Sequence, residues 1–529
     1  MKKTISFILF LQLCLTVFSQ DWNIYPYSPA GSKITFPVDE GRHSSEPVEW
    51  WYTMGHVTGT SGKNYSYMLS YFYYPASIFD GFRILNISDD DLGIFFPETK
   101  PLNYTVLASD RLNIEAAIFF GGTETWKNRT DAGENPLPFK YKISAASSTG
   151  SINLECDALK PPLILADSGF LYQGASAYTY YYSQTKNAVS GSITLNGVTE
   201  NVTGTSWIDR QYGTFNPSDG QEYEWFGVQL SNGMDLNIYN LFNENNEIPN
   251  TLEFRILSAY VDETTQYTTT DFEIERLKYS YTPDELMCYS QKWRITSPIN
   301  DVDIIVSAAH SNYEVQLPFR FYEGPTTITG TVKGNAVTGI GFAELAHSYE
   351  KPTIQITEFA NLGDISTLLK WEPNNPDDGN PLKYDLEYSI DNQQTFLPIA
   401  GNIIDTFYIW DSRNISEDKE VWLKVTGYSI DNTVSNFSTV KLVQRDVAIN
   451  QIEDHQPINI YPNPSIGQFT IEGINIREIE ILDVCGKIIY SSSINQRKNS
   501  VDLSAQQKGV YFLKLSTDDG ITTKKLLLK

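Results

Sequence analysis

Alternating side chains and tight turns in the first two-thirds of the chain restrict its fold more than any other feature. Large residues occupy every second position from Tyr65 to Tyr73, which places them on one face of a strand. Asn196-Gly197, Asn232-Gly233 and Lys333-Gly334 separate pairs of strand-like segments, and such dipeptides are typical of β-hairpin turns. No long segment has apolar residues spaced with the 3.6-residue period of an α-helix. The pattern predicts antiparallel sheets with up-and-down connections.

A weak internal repeat predicts how these strands are grouped. The segment Val202–Asp209 is similar to Val337–Glu344, and each follows a hairpin that opens with a glycine, Gly191 or Gly330. The separation of the two copies is about the length of one small closed barrel. We therefore expect two similar barrels in tandem. Chance similarity between short strands rich in threonine and glycine is the alternative.

The composition agrees with β structure and excludes several classes of partner. The 529 residues include 33 tyrosines, 27 phenylalanines and 10 tryptophans, and these residue types favour strands. A formal net charge of −25 argues against nucleic acid and anionic lipid as partners. Cys156, Cys288 and Cys485 lie far apart and follow no disulfide or metal motif, so we expect buried thiols.

The start of the chain has the features of an export signal. Lys2 and Lys3 precede an apolar run from Phe7 to Phe18 that is too short to cross a bilayer. Val17-Phe18-Ser19 is a suitable cleavage site. We therefore predict a signal peptide over 1–19 and an exported mature chain. No later segment is apolar enough to predict a transmembrane helix.

Trp207 and Asp209 are the best candidates for a chemical site. They lie two residues apart, so in a strand they face the same space. A carboxyl beside an indole in a closed apolar space can keep its proton at neutral pH and donate it. An ion pair with Arg210 or Arg42 is the structural alternative. The repeat aligns Glu344 with Asp209, so an acid at this position can also serve to brace a barrel junction.

A second aromatic and acidic cluster, Glu49-Trp50-Trp51-Tyr52, lies near the mature start. Adjacent tryptophans point to opposite sides of a strand, so one can line a cavity while the other packs elsewhere. Trp50, Trp51, Glu49 and His43 are candidate ligand-binding residues. Core packing of the rings and arginine pairing of Glu49 are the alternatives. The five histidines lack metal-ligand spacing, and serine-hydrolase and phosphate-loop motifs are absent, so we expect no metal and no cofactor.

The sequence changes character after Pro352. Alternating segments and the placement of Trp371, Tyr384, Tyr388 and Tyr428 over 351–445 predict a small sandwich that resembles a fibronectin type III module. Such a module is usually a spacer or a binding surface. The polar segment 446–457 is predicted to be a linker.

The last domain, 458–529, carries a specific set of motifs. They are Ile460-Tyr461-Pro462-Asn463-Pro464, Gly467-Gln468-Phe469, Leu482–Lys487, Gly509–Lys514 and the basic end Lys524-Lys525. In this order they resemble the C-terminal sorting domain of the type IX secretion system of Bacteroidetes. The resemblance implies that the type IX machinery is a partner, and that the protein crosses both membranes to the cell surface or the extracellular space.

Separated motifs between residues 35 and 350 carry a further resemblance. They are Asp39–His43, Glu46–Tyr52, Gly55–Val57, Tyr180–Ser183, Gly204–Gly213, Trp225–Leu230 and Tyr322–Gly324, with Gly339, Gly341, Glu344 and Leu345. Together they resemble the AttH and carotenoid 1,2-hydratase-like family. The resemblance implies two lipocalin-like barrels in tandem, at 20–205 and 206–350. It also implies metal-independent chemistry on polyene or terpenoid-like molecules.

The same resemblance implies a set of site residues. The carotenoid hydratases of the family have a His-x-Trp pair and a Tyr-x-Asp pair. Trp207 and Asp209 match the second pair, with tryptophan in place of tyrosine, and Tyr180 and Tyr182 occupy the first pair. These four residues are therefore the predicted catalytic set. Because the histidine is missing, hydration does not transfer directly from the family to this chain.

We therefore predict an all-β protein with two lipocalin-like antiparallel barrels followed by two small β-sandwich domains. The expected function is to bind an unsaturated hydrophobic small molecule, a lipid or terpenoid. As an enzyme, the protein would hydrate or isomerise that molecule by general-acid catalysis. A non-catalytic lipocalin-type carrier is one alternative. A surface adhesion or matrix protein with recognition in 352–445 is the other.

Overall fold

A computed structural model describes most of the chain. The described residues are 20–216, 220–317, 319–361, 366–374, 382–411, 415, 420–442, 458–473, 476–484, 486–494, 496–517 and 520–529. Within these ranges the structure is almost entirely β, with one 3-10 helix, Val38–Glu40, and no α-helix. The predicted signal peptide, the linker 446–457 and Cys485 lie outside the described residues.

The described residues form two compact units. The first takes in the chain up to Pro352 and the short segment Tyr428–Ser435, and the second takes in most of the later residues. The described residues include no helix with the length and hydropathy of a membrane span.

Twelve strands of the first unit form one antiparallel sheet. They are β1 (Val48–Gly59), β2 (Asn64–Ala76), β3 (Phe79–Asp89), β4 (Ile94–Leu107), β5 (Asn113–Ile118), β6 (Thr123–Thr130), β7 (Pro136–Ala146), β8 (Gly150–Ala158), β9 (Leu163–Ile164), β10 (Phe170–Gln173), β11 (Ala177–Leu195) and β12 (Val198–Gly213). Strands β1 to β8 pair in chain order, β12 pairs with β1, and the long β11 pairs with both β12 and β8. The pairing of β11 with β8 closes a barrel of ten strands, while β9 and β10 pair with the far end of β11.

The hairpin of β11 and β12 has the predicted turn and an unpredicted bulge. Asn196 and Gly197 connect the strands with φ values of 52° and 81°, as a two-residue hairpin turn requires. The register shifts between Gln184 and Asn187, where β11 carries one extra residue. Strand β12 continues in this sheet to Gly213, so the predicted domain boundary between residues 205 and 206 falls inside a continuous strand.

Ten further strands of the first unit form a second antiparallel sheet. They are β13 (Tyr223–Leu230), β14 (Asp235–Leu241), β15 (Arg255–Asp262), β16 (Thr265–Thr269), β17 (Glu273–Tyr281), β18 (Cys288–Ser297), β19 (Val302–Ala308), β20 (Glu314–Val315), β21 (Phe321–Val332) and β22 (Asn335–Leu345). The order is β16-β15-β14-β13-β22-β21-β19-β18-β17, with β20 beside β21. Among the described residues β16 and β17 do not pair, so this sheet is a half-barrel. The predicted all-β class is confirmed, and of the two predicted barrels the first is closed and the second is a half-barrel.

The internal repeat corresponds to equivalent hairpins in the two sheets. The β11–β12 hairpin lies between β8 and β1, and the β21–β22 hairpin lies between β19 and β13. Gly191 pairs with Val202 in the first hairpin, and Gly330 pairs with Val337 in the second. Because sequence similarity, register and sheet position all agree, the two sheets share one structural plan.

Glycines of the repeat allow close approach of neighbouring strands, which gives a test of the fold. A Cβ added at Gly204 would lie 2.0 Å from the His56 carbonyl oxygen, whereas one at Gly122 would meet no atom within 4 Å. We expect Gly204→Ala to lower the free energy of unfolding of the first unit by about 1–3 kcal/mol, the usual cost of overpacking. Gly122→Ala is the matched control. Urea unfolding measures both, and equal stability of the two variants would contradict the close approach.

The faces of the two sheets in the first unit contribute to three hydrophobic layers. The barrel interior holds one face of the first sheet, including Trp51, Tyr67 and Leu69. A second layer, between the sheets, contains Trp50 and Trp225. A third layer, which includes Phe226, Trp293 and Ile304, covers the other face of the second sheet. Because side chains alternate along each strand, a single strand such as β1 contributes to two layers.

The second unit begins with seven strands in two sheets. They are β23 (Thr353–Asn361), β24 (Ser366–Asn374), β25 (Leu382–Ser389), β26 (Leu397–Ile403), β27 (Phe407–Asp411), β28 (Val421–Ser429) and β29 (Ser435–Leu442). The orders are β23-β24-β27 and β26-β25-β28-β29. Trp371 packs edge-on against Tyr384 at 5.3 Å between ring centroids, which joins the two sheets. A small sandwich is present, and its fibronectin type III character stays a prediction.

The C-terminal domain is a second small sandwich. Its strands are β30 (Asn459–Tyr461), β31 (Gln468–Glu472), β32 (Ile476–Leu482), β33 (Ile488–Ser493), β34 (Lys498–Asp502), β35 (Gly509–Thr517) and β36 (Gly520–Leu528). They form the sheets β30-β31-β34 and β33-β32-β35-β36. Both sheets contribute to one buried core that includes Phe469, Ile481 and Leu513.

Candidate active site

A cavity lies between the two sheets of the first unit. The centres of water molecules can occupy a volume of about 80 Å³ inside it. This is room for roughly five waters or one small group. Most of its lining is aromatic. The lining residues are Trp50, Tyr52, Phe72, Phe82, Ile84, Gln173, Tyr181, Asp209, Gln211, Phe215, Tyr223, Trp225, Tyr239, Leu241, Phe319, Phe321 and Glu344.

Asp209 is a fully buried acid on the wall of this cavity, and three side chains donate to it. Ser183 Oγ donates to Oδ1 at 2.6 Å, and Trp207 Nε1 donates to the same oxygen at 2.6 Å. The Tyr181 hydroxyl donates to Oδ2. Trp207 and Asp209 therefore share one face, as their spacing predicts. Asn237 Nδ2 in turn donates a hydrogen bond to the Tyr181 hydroxyl oxygen at 2.9 Å.

Burial gives Asp209 an unusual affinity for its proton. Loss of solvation raises the pKa of its carboxyl from 3.8 to about 7, and the nearby Glu344 adds to the rise. Hydrogen bonds from Ser183, Tyr181 and Trp207 act in the opposite direction, because they stabilise the carboxylate. The net result is an acid that keeps its proton much closer to neutral pH than an ordinary aspartic acid does.

Glu344 and Glu323 form a buried carboxyl pair in the second sheet. They are cross-strand partners on β22 and β21. The Tyr223 hydroxyl donates to Glu344 Oε1, and the Tyr52 hydroxyl donates to Glu323 Oε1 at 2.9 Å. Burial raises the pKa of both carboxyls, and that of Glu323 also rises because Glu344 lies beside it. Two adjacent acids in an apolar layer favour sharing a proton over double ionisation.

The bulge in β11 decides which tyrosines reach Asp209. Continued without the bulge, the register from the hairpin turn would place Gln184 opposite Asp209 and put Tyr182 on the cavity face. The extra residue instead places Ser183 opposite Asp209, so Tyr181 lines the cavity. Tyr180 and Tyr182, the predicted partners, lie on the other face. The placement of these two residues beside Asp209 is therefore corrected, and Tyr181 is the residue that the sequence reasoning missed.

Tyr180 and Tyr182 have other surroundings. Tyr182 is buried in the barrel interior, where its ring packs edge-on against Phe36 at 4.8 Å. Tyr180 stacks on Tyr212 at 4.9 Å between ring centroids. Neither lines the cavity between the sheets.

The candidate ligand-binding residues are likewise divided between two faces of β1. Trp50 lines the cavity, whereas Trp51 faces the barrel interior and donates from Nε1 to the Glu40 carbonyl oxygen at 2.8 Å. This is the division that their adjacency predicts. Glu49 and His43 lie away from the cavity, and His43 stacks on Tyr212 at 3.6 Å between ring centroids.

Arginine pairing explains Glu49 and excludes the structural alternative for Asp209. Arg42 and Arg210 both form ion pairs with the fully buried Glu49 carboxylate. They lower the pKa of Glu49 against its own burial, which raises it. Asp209 pairs with neither arginine among the described contacts, because the Arg210 side chain lies on the opposite face of β12. Arginine pairing was the structural alternative for both Glu49 and Asp209, and it is present for Glu49 alone.

A wider polar cleft adjoins the cavity. It shares Gln173 and Phe215 with the cavity and has a volume of about 680 Å³. Its other walls include Gln221 and several asparagines between Asn216 and Asn246. The apolar cavity and the polar cleft beside it together suit a molecule with one apolar end and one polar end better than a wholly apolar molecule.

Within the described residues, no group of three or more His, Cys, Asp or Glu side chains has an arrangement that could hold a metal ion. Cys156 and Cys288 are buried free thiols. The cavity walls themselves present carboxyl and phenol groups among aromatic rings.

The fold and the site define a class of protein: two stacked antiparallel β-sheets that enclose an acidic, aromatic cavity, followed by small β-sandwiches. Residues 99–349 match the AttH-like family, and residues 459–529 match the secretion system C-terminal sorting domain. The chain thus carries an AttH-like domain, which includes Asp209 and Glu344, and a sorting domain. The sorting domain assigns the protein to type IX secretion, with the cell surface or the extracellular space as its destination.

Two solved structures are similar to the chain. A putative AttH from Nitrosomonas europaea has 18% sequence identity and a TM-score of 0.49, over 61% of this chain and 99% of that one. A kievitone hydratase from Nectria haematococca has 16% identity and a TM-score of 0.48, over 61% and 98% of the respective chains. No curated protein sequence matches this chain significantly.

Proposed function

We propose that the AttH-like domain binds an unsaturated hydrophobic small molecule, a lipid or terpenoid, and transfers a proton to it from Asp209. The single observation that carries this proposal is a buried carboxyl on the wall of a cavity lined mostly by aromatic rings, where burial raises its pKa to about 7. Protonation of an alkene needs an acid that is shielded from water, and the developing positive charge needs π faces or carboxylates nearby. This cavity supplies both.

The proposed step has a defined balance of atoms. The Asp209 O–H bond breaks, its proton bonds to one alkene carbon, and the other carbon becomes cationic. In hydration, a water oxygen bonds to that carbon and the proton lost by the water passes to Glu344. In isomerisation, Glu344 takes a proton from a neighbouring carbon and the double bond moves. In both cases a proton must return from Glu344 to Asp209 through solvent before the next turnover.

The experiment uses deuterium incorporation. Compounds extracted from the mature protein, and a panel of terpenoid alkenes, are incubated with the protein in D2O and analysed by mass spectrometry. We expect one deuterium bound to carbon per turnover. The rate should fall about tenfold per pH unit above pH 7, because only protonated Asp209, with its pKa of about 7, can donate, and it should also fall at low pH, where Glu344 is protonated and cannot accept a proton.

Non-catalytic binding is the second candidate, and one observation favours it. Three protein donors already satisfy Asp209, an arrangement that stabilises the carboxylate rather than the acid. A carrier would return its extracted compound unchanged and without deuterium. That result would contradict the catalytic proposal and support the carrier.

A further inference from the structure

The charge in and around the cavity is unbalanced. Asp209 and Glu344 line it, and Glu323 lies directly behind Glu344 as its cross-strand partner. None of the described lining residues is lysine, arginine or histidine. Elsewhere in the same unit the buried acids Glu49 and Glu224 pair with arginines. The carboxyls at the cavity therefore have no cationic partner in the described contacts, a property that they share with the buried Glu40, which accepts hydrogen bonds from Tyr25, Tyr141 and Asn128.

One polar atom on the cavity wall is also unsatisfied. The Tyr239 hydroxyl lines the cavity, is buried, and has no partner with good hydrogen-bond geometry. A buried polar atom without a partner costs free energy, so each such atom asks for an explanation. A polar group bound in the cavity would give the Tyr239 hydroxyl a partner.

The aromatic walls favour one sign of charge. Trp50, Tyr52 and Trp225 lie around the acids, and the face of an aromatic ring attracts cations. An enclosure of rings with carboxylates behind them is the arrangement by which proteins recognise substituted ammonium groups. The open volume of about 80 Å³ matches a small head group rather than a long chain.

We propose that this cavity binds a cationic head group, a trialkylammonium or tertiary amine carried on a small organic molecule, with Asp209 and the Glu323–Glu344 pair as its counter-charge. The inference rests on the proposed function in one respect, that the cavity is a ligand site. It adds the chemical class of the ligand. The same charges would stabilise a carbocation, so an ammonium compound mimics the charged intermediate of the proposed reaction.

Choline and 3,3-dimethylbutan-1-ol test the inference, because they have the same shape and differ only in the charge of one atom. Calorimetric titration of the full chain with each probe, in two buffers of different ionisation enthalpy, gives affinity and proton exchange. We expect choline to bind at least tenfold more tightly, and to release protons near pH 7 because a cation favours ionised Asp209 and Glu344. The neutral probe should release none.

A pair of variants locates the effect. Glu344→Gln removes a carboxyl of the cavity, and Glu200→Gln removes one that instead accepts hydrogen bonds from Ser61 and Tyr65. We expect the preference for choline to fall at least threefold in Glu344→Gln and to stay unchanged in Glu200→Gln. Neutral-probe affinity reports whether each variant keeps its cavity.

The outcomes separate the inference from the proposed function. Equal or tighter binding of the neutral probe would overturn the inference and leave the proposed function standing. Binding of neither probe, together with no binding of terpenoid alkenes, would overturn both. A preference for choline that is lost equally in Glu200→Gln would assign it to the overall negative charge of the protein and overturn the inference.

Discussion

Asp209→Asn is expected to lower the rate of deuterium incorporation by about 100- to 10,000-fold, the usual contribution of a positioned general acid. The substitution keeps the size and planarity of the side chain. The amide oxygen can accept the hydrogen bonds of Ser183 and Trp207 that now reach Oδ1. Ligand affinity should therefore change by no more than a few-fold, since the walls of the cavity stay in place.

The control for this variant is Asp303→Asn, which removes a carboxylate from an exposed pair with Arg294. Its turnover should equal that of the natural protein. Near-ultraviolet circular dichroism of both variants verifies that the aromatic packing is intact. Unchanged turnover in Asp209→Asn would remove the acid role from this residue, whatever the cavity binds.

The same variant should change how stability depends on pH. The pKa of Asp209 is 3.8 in its ordinary state and about 7 in the folded protein, so the folded state binds more protons between these values. This residue therefore stabilises the fold most below pH 4, and the contribution is lost as pH rises towards 7. Asp209→Asn should show a smaller fall in unfolding free energy across this range, as measured by urea unfolding at several pH values.

Arg210→Ala is expected to destabilise the first unit by about 3 kcal/mol, towards the low end of the cost of breaking a buried ion pair, because Arg42 still pairs with Glu49. Arg210 is 1% exposed and pairs with the buried Glu49. It also donates to the backbone carbonyls of Trp50, at 3.2 Å, and Gln211, at 2.9 Å. Its guanidinium lies 4.0 Å from the centre of the Trp51 ring. Removing it would therefore loosen β1 and β12 together.

Arg294→Ala is the matched control for this second variant. Arg294 forms a well-aligned pair with Asp303, but both side chains are nearly half exposed. Such a pair contributes less than about 1 kcal/mol. Urea unfolding gives the two free energies, and hydrogen exchange of peptides from β1 and β12 localises the loss. Equal stabilities would show that the Glu49 cluster is not a structural centre of the barrel.

The two variants act on opposite faces of one strand pair. Asp209 faces the layer between the sheets, and Arg210 is the next residue on β12. The same division separates Trp50 from Trp51 on β1. One face therefore carries the proposed chemistry, while the other holds the barrel together through a compensated ion cluster. This separation explains why Asp209→Asn is expected to lower turnover, whereas Arg210→Ala is expected to lower stability.

Alternation along the strands was enough to predict several features of the site. The shared face of Trp207 and Asp209 and the opposite faces of Trp50 and Trp51 follow from the period of two in a strand. The hairpin turns at Asn196-Gly197 and Lys333-Gly334 follow from residues that tolerate positive φ. The family and sorting motifs predicted the two domains that the comparisons identify.

The register of β11 could not be predicted from these patterns. A bulge of one residue reverses which side chains face the cavity, and no composition signal marks the position between Gln184 and Asn187. Tyr180 and Tyr182 were predicted from the family resemblance, and the bulge turns both away from the cavity. The half-barrel was equally hidden, since β16 and β17 are the edge strands of the second sheet and no local pattern in the sequence shows whether two edge strands pair.

The sequence by itself therefore determined the all-β class, the faces of neighbouring residues, the tandem plan and the route of export, because each depends on short-range geometry or on a local motif. Only the tertiary structure decided that Tyr181 meets Asp209 and that the cavity lies between the sheets rather than inside the barrel. It also brought Glu344 close enough to raise the pKa of Asp209. These features depend on desolvation and on contacts between residues far apart in the chain, which no local pattern encodes.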